Sequence, residues 1–511
     1  MTVLLQAWRA QHTRREPACD LLNRIPMRDP QPSPGEVKSR ASRRRVWRLI
    51  LIAIVLVIAT LAAPRAYRTA VLGSGFMAQR LCGEVFIAKR DPKAILAEDL
   101  SGPGYELLRF FQPNVKRDEQ AVTASAFGIG RQTSIFREGL GCTHLAGKSE
   151  RELRDEAAQL FAPKPPLDPN APWPEGERVD LQTRPESVDR AALEQATTTA
   201  FAESGPAHPR NTRALVVVYQ GRIVAERYAP PFDVSTPFLG WSMSKAALNA
   251  LIGERVRDRK LAVAGSALPE WQGSHDRRRD ITLDQLLRMT NGLAFDETYS
   301  NNDSDVIQML FVQGDMAGFA TVKPLVHPPG SDWNYSSGTS LVLARLLRNS
   351  FASERDYLRF PRERLFDPLG MRSAVIEPDA GGTFVASSFM HASARDWARL
   401  ALLFLQDGVW RGRRLLPEGW VAYTLTPAQP APDARYGAHM WLKLPESQQL
   451  GEPPMPEDSY YMLGQDQQVV AIVPSRDLVI VRLGLTRDSG VSDPARDLAQ
   501  IVNAFPMKSP R

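Results

Sequence analysis

Cysteine and histidine are scarce in this chain of 511 residues: there are three cysteines and seven histidines, with no Cys-x-x-Cys pair and no metal-ligand spacing among them. A protein-held catalytic metal or a dithiol redox centre is therefore not expected, because each needs clustered ligands or paired thiols. Long apolar runs are as rare. The single one, Leu49 to Ala63, is too little for a many-span transporter, and a 43% hydrophobic, 23% charged composition excludes a wholly disordered chain, a coiled coil or a collagen-like fibre. Basic clusters are missing from most of the sequence. The formal charge is +6, but residues 1–48 hold eleven Lys and Arg against four acids, which leaves the remainder close to neutral. A nucleic-acid partner is not expected, since binding phosphates needs clustered cations on the folded part.

What is present begins with that basic stretch and the apolar run behind it. Leu49–Ala63 is uncharged for fifteen residues, or about eighteen counted from Val46 across Arg48. As a helix, eighteen residues rise about 27 Å, close to a hydrocarbon core. Arg43, Arg44 and Arg45 precede it, and positive residues stay on the cytoplasmic side, so the expectation is one transmembrane helix, 46–63, with the N-terminus inside and all later residues outside. Small residues at Leu61-Ala-Ala63 leave a cleaved signal peptide open, more so if translation starts at Met27. Cys19 then lies on the reducing side. Cys82 and Cys142 lie on the exported side, where a disulfide between them would persist; two buried free thiols are the alternative.

Four segments follow. Residues 1–45, Arg-rich and broken by Pro30, Pro32 and Pro34, read as a disordered cytoplasmic tail, and 46–63 as the membrane helix. An exported region with a Pro-rich linker or surface-wrapping segment covers 64–175, with Pro163, Pro165, Pro166, Pro169, Pro172 and Pro174 near its end, and a main domain covers 176–507. That domain opens on two β-rich runs, 213–219 and 222–228, around Gln220-Gly221, and closes on a second pair, 469–473 and 478–482, followed by a helical pattern from Pro494. Patterns between them are mostly helical, as at 341–347 and 395–406. Strands at both ends with helices between imply an α+β fold: an antiparallel sheet closed by its own termini and flanked by helices.

The local feature with most chemistry in it is Gly240-Trp-Ser-Met-Ser-Lys245, where Lys245 is the single lysine with a serine three positions before it. On a helix, Ser242 and Lys245 share a face one turn apart. A serine hydroxyl becomes a nucleophile when a neighbour takes its proton, and a desolvated lysine with lowered pKa can do so. First-turn amides can add an oxyanion site. Taken alone, an ordinary N-capping serine explains the pair as well.

Pro328-Pro-Gly-Ser-Asp-Trp-Asn-Tyr335-Ser-Ser337-Gly338 adds a turn-rich, aromatic segment entering an apolar helix. With this second box, residues 200–505 resemble the serine β-lactamase and penicillin-recognising hydrolase superfamily, in its class C-like, 6-aminohexanoate-dimer-hydrolase-like branch. The resemblance implies the β-lactamase/transpeptidase-like fold with a helical subdomain, Ser242 as nucleophile, Lys245 as its proton acceptor or electrostatic partner, Tyr335 as proton shuttle and Ser337 as a supporting group. Gly292-Leu-Ala-Phe-Asp-Glu-Thr-Tyr299 looks like the same branch and makes Tyr299 a substrate contact; Asp396 and Arg399, in Ala394-Arg-Asp-Trp-Ala-Arg399, read as structural. The third box departs from the family. Gly464-Gln-Asp-Gln-Gln468 puts Gln465 where a basic residue belongs and Gln467 where glycine is usual, both expected on a strand beside the substrate. Without that cation, recognition of a carboxylate-bearing β-lactam or peptidoglycan stem is weakened, and a side chain at 467 narrows the groove.

The expectation is thus a bacterial inner-membrane, single-pass serine hydrolase with its catalytic domain in the periplasm, cleaving small ester or amide substrates without a cofactor. A D-alanyl peptidase or β-lactamase, and a lapsed binding protein on the same fold, are the alternatives.

Overall fold

The computed structural model describes residues 34–158, 160–162, 166–183, 185–203, 205, 210–266, 268–273, 277–445, 454–487 and 494–508. Most of the expected tail, with Cys19, lies outside the described residues, as do Pro163 and Pro165 of the Pro-rich segment. The chain divides into two units, 1–64 and 65–511.

In the first unit, helix α1 (Pro34–Cys82) begins well before the expected start at residue 46 and carries the apolar run, whose described side chains are exposed. It is long and apolar enough to cross a membrane. The helix does not stop at Ala63, because Pro64 is tolerated and an ordinary helical sequence follows it.

In the second unit, the continuation of α1 stays exposed through Arg68 and is buried from Ala70. Its Met77 and Leu81 enter a small core with Ile95, Val122 and Ala124. This core is floored by an antiparallel sheet of β1 (Phe111–Lys116), β2 (Ala121–Ala126), β3 (Ile129–Arg137) and β4 (Gly141–His144), in that order. A Cys82–Cys142 disulfide ties the helix end to β4.

The main sheet has five antiparallel strands. β5 (Thr212–Tyr219) and β6 (Arg222–Tyr228) form a hairpin through Gln220 and Gly221, both at positive φ, as a tight two-residue turn requires. β7 (Phe238–Leu239), β8 (Val375–Ile376) and β9 (Met390–Ala392) make a short second sheet in the order β7-β9-β8, and β10 (Val409–Trp410) with β11 (Arg413–Arg414) a small hairpin. β12 (Tyr460–Gly464), β13 (Gln468–Val473) and β14 (Leu478–Gly484) complete the main sheet in the order β12-β13-β14-β5-β6. The last strand in sequence therefore sits against the first, so that the termini of the domain close its sheet.

Both faces are covered, which is why β5 and β14 are buried at every position. Leu215, Val217 and Ile480 face helices α2 (Arg190–Phe201) and α7 (Pro494–Val502) at the two ends of the domain. Val216, Val218 and Val481 face the larger core, built with α3 (Ser244–Arg257), α4 (Asp305–Val312), α5 (Ser337–Asn349) and α6 (Ala394–Leu405). The fold is the mixed helix and antiparallel-sheet architecture that the resemblance implied.

The Pro-rich segment wraps α6: Arg399 binds Asp396 at 2.7 Å and Glu177 at 2.9 Å, and donates to the carbonyl of Gly176. The β1–β4 region is bound to the main domain through buried Glu377, which accepts from the Cys142 amide at 2.9 Å and from Gln79 at 2.8 Å.

Candidate active site

Ser242 lies in a short turn, Trp241–Met243, that runs into α3. The backbone there is forced. Trp241 has φ 49°, costly for a bulky residue and tolerated where surroundings hold it. Those surroundings are the Arg80 guanidinium 5.0 Å over its ring, the Asp466 carboxylate that hydrogen-bonds with it, and Phe389 at 6.3 Å. Two glycines bring the end of β12 against this turn. A Cβ on Gly464 would stand 2.2 Å from the Gly240 carbonyl, and one on Gly240 2.2 Å from the Trp397 ring.

α3 buries almost its whole circumference, Lys245 included. Its Nζ donates to Ser242 Oγ at 3.2 Å, Ser337 Oγ at 3.3 Å and the Ser387 carbonyl at 3.0 Å. The Tyr335 ring lies 4.9 Å from the same nitrogen. Burial pushes the amine down to about 8, against the pull of the Glu297 charge. Tyr335 precedes the N-terminus of α5, which Ser336 caps by accepting from the Thr339 amide at 3.0 Å. Burial first and the Glu297 charge second push its phenol well above the ordinary range, while hydrogen bonds with Ser242 and Trp441 work the other way. Ser242, Lys245, Tyr335 and Ser337 are thus brought into one cluster.

Glu297 is the residue that the sequence reading passed over. It accepts from the Ser337 amide at 2.8 Å, the Ser337 hydroxyl at 2.6 Å and the Tyr299 hydroxyl at 3.2 Å. Burial raises its carboxyl, opposed by Lys245 and by these hydrogen bonds. Its signal was on the page as Glu-x-Tyr, since residues two apart on an extended segment point the same way. Tyr299 is held here as a partner of Glu297.

Proton accounting shows what the cluster can do. An ammonium has three protons and finds three acceptors, so each is satisfied. After deprotonation, one of those partners must face a lone pair. The Ser387 carbonyl has no proton to offer, and Ser337 has committed its one proton to Glu297. Only the Ser242 hydroxyl is left to donate. The arrangement therefore aims the neutral amine of Lys245 at the Ser242 proton.

The third box takes a different form from the expected strand edge. Residues 465–467 are the tight turn between β12 and β13, because Asp466 and Gln467 have φ of 60° and 57°, which no strand accommodates. Gln465 is exposed, whereas Gln467 is buried and its carbonyl accepts from Arg482 at 2.9 Å. Asp466, unremarked in sequence, is buried near Arg487 and Arg80, and burial raises its carboxyl. One wall of the site is aromatic: Trp333, Tyr335, Tyr436 and Trp441 pack with ring centroids 5.1 to 6.4 Å apart, three of the six pairs edge to face. These rings come from two distant segments with no shared motif. Among the described residues no group of three or more His, Cys, Asp or Glu is placed to hold a metal.

A family model described as Beta-lactamase matches residues 198–504. Among solved structures, the chain is similar to a candidate 6-aminohexanoate-dimer hydrolase from Bacillus anthracis, at 21% identity and TM-score 0.47, over 57% of this chain and 78% of that one. It is also similar to a beta-lactamase from Mycobacterium bovis (19%, TM-score 0.44, 61% and 100%) and a penicillin binding protein from Bacillus halodurans (15%, TM-score 0.46, 61% and 99%). The comparison with curated proteins gives no match.

Proposed function

The chain belongs to the beta-lactamase family, a family of hydrolases, and on that premise we propose that it is a membrane-anchored serine hydrolase working through an acyl-enzyme on Ser242. Ser242 Oγ bonds to the substrate carbonyl carbon as its proton passes to the neutral amine of Lys245. The oxyanion is held by backbone amides of Ser242 and the Gln465 turn. It collapses, the ester C–O or amide C–N bond breaks, and the leaving group takes a proton delivered through Tyr335 from Lys245. Water then attacks the acyl-Ser242 ester by the same proton route, releasing the acid and restoring the hydroxyl. Every step is carried by this chain's own groups.

The observation that carries this reading is the buried, pKa-lowered Lys245 amine 3.2 Å from Ser242 Oγ, with the neighbouring Ser337 hydroxyl turned to Glu297. Substrate choice follows from the third box: with glutamine at 465, a substrate carboxylate has no cation there, so neutral esters and amides fit better than penicillins. The N-terminal helix serves as a single-pass anchor in the inner membrane with the catalytic domain in the periplasm, in line with the eleven cations before it.

Fluorophosphonate labelling and short p-nitrophenyl ester hydrolysis test the enzyme reading. The wild type is expected to take label and turn over ester, and Ser242→Ala to do neither. A wild type that does neither is the lapsed binding protein, and rapid turnover of a chromogenic cephalosporin makes it a β-lactamase.

A further inference from the structure

One end of the β1–β4 sheet carries apolar side chains that serve no core. Phe127 is 74% exposed, Leu107 57%, Ile129 55% and Phe110 39%. The Phe110 and Phe127 rings stand 6.1 Å apart, and the register pairs Phe111 with Ala126 and Ala126 with Ile129, so three of the four share this end of the sheet. A lone exposed apolar residue is ordinary, but three together, with Leu107 in the helical turn that leads to Phe110, mark a surface that is covered by something.

The fold packs this patch beside a part of α1 that lies close, along the chain, to the apolar run. The turn that carries Phe127 and Ile129 lies on α1: a Cβ on Gly130 would stand 2.7 Å from the backbone of Ala70 and Val71. Burial of α1 starts here, residues 65–68 being exposed. Ala70 follows Ala63 by seven residues, which even fully extended reach no more than about 25 Å. A tether so short leaves the patch within reach of the headgroup layer. Side-chain chemistry agrees. Aromatic rings favour that depth, Arg109 lies 4.8 Å over the Phe110 ring, and Arg65, Arg68 and Arg131 are exposed around the same place to meet anionic headgroups.

We propose that Leu107, Phe110, Phe127 and Ile129 form a foot that inserts into the headgroup layer of the outer leaflet and holds the catalytic unit against the bilayer. The proposal rests on the anchored reading above, and the occupant of the patch is lipid.

The test uses the full chain with Cys19→Ser, its disulfide intact, in phosphatidylcholine/phosphatidylglycerol vesicles. A fluorophore is attached to one introduced cysteine at a time: Phe127→Cys, Ile129→Cys, Leu56→Cys inside the apolar run, and Val322→Cys, a site 72% exposed. Labels at 127 and 129 are expected to be quenched several-fold more by nitroxide-bearing lipid than the label at 322, and less by iodide. Quenching at 127 and 129 that matches 322, with 56 still lipid-quenched, overturns the foot and leaves the anchor standing. Shielding of 127 and 129 from both quenchers points to a protein cover and also overturns it. If 56 is open to iodide, the anchored reading falls and the foot with it.

Discussion

Lys245 is half neutral near pH 8, so the nucleophile should be armed in the same range. For a short ester, kcat/KM is expected to rise with pH and level off above about 8, since the group must lose its proton to act. Glu297 tunes this. Its charge favours the ammonium, so Glu297→Gln should move the limb to lower pH; it should also lower kcat by about 10- to 100-fold with little change in KM, because an amide can donate to Ser337 and free that hydroxyl to compete for the amine. A pH–rate series on both proteins checks the sign, and a limb that stays in place removes Glu297 from the proton network. At this scale the sequence grouped Ser242, Lys245, Tyr335 and Ser337, whose order and spacing follow a family pattern and whose side chains the fold brings together. It did not disclose the Ser387 carbonyl, which as a backbone group leaves no trace in residue identity, nor Tyr436 and Trp441, which reach the site from far along the chain.

Among the elements, both hairpins and the helix after Pro494 were legible because alternation and turn residues are local signals. β12 and the turn behind it were not. Asp466 and Gln467 adopt a left-handed conformation for which glycine or asparagine is the usual cue, so the segment read as continuous strand. The contact of β12 with the Ser242 turn depends on Gly464, where a methyl group meets a carbonyl rather than a movable side chain. Gly464→Ala is expected to destabilise the protein by about 1–3 kcal/mol and to reduce esterase activity more than its loss of folded protein explains. Chemical denaturation alongside active-site titration would show this, and wild-type activity per folded molecule would contradict it.

The whole molecule binds residues 70–160 to the catalytic part more closely than a linker-separated region would suggest. Proline crowding marks where a chain bends, and carries no information on where the bent segment docks, so neither the Glu177 ion pairs with Arg395 and Arg399 nor the Glu377 contacts could be read from composition. The Cys82–Cys142 bridge spans 60 residues of sequence, and the chain-entropy relation gives a loop of that size about 4 kcal/mol. Replacing both cysteines by alanine is expected to lower the unfolding free energy by about 2–4 kcal/mol, seen as an earlier thermal midpoint that reductant no longer changes. An unchanged midpoint would show the bridge to be idle.

The run of exposed helix from Arg65 to Arg68 has one more implication. It is the stretch where a processing protease can cut without disturbing any packed residue, so a shed, freely diffusing form of the catalyst would begin there and keep its first sheet, its bridge and its Arg80 brace on Trp241. Cleavage past Arg80 would strip that brace and release a body already disturbed around Ser242.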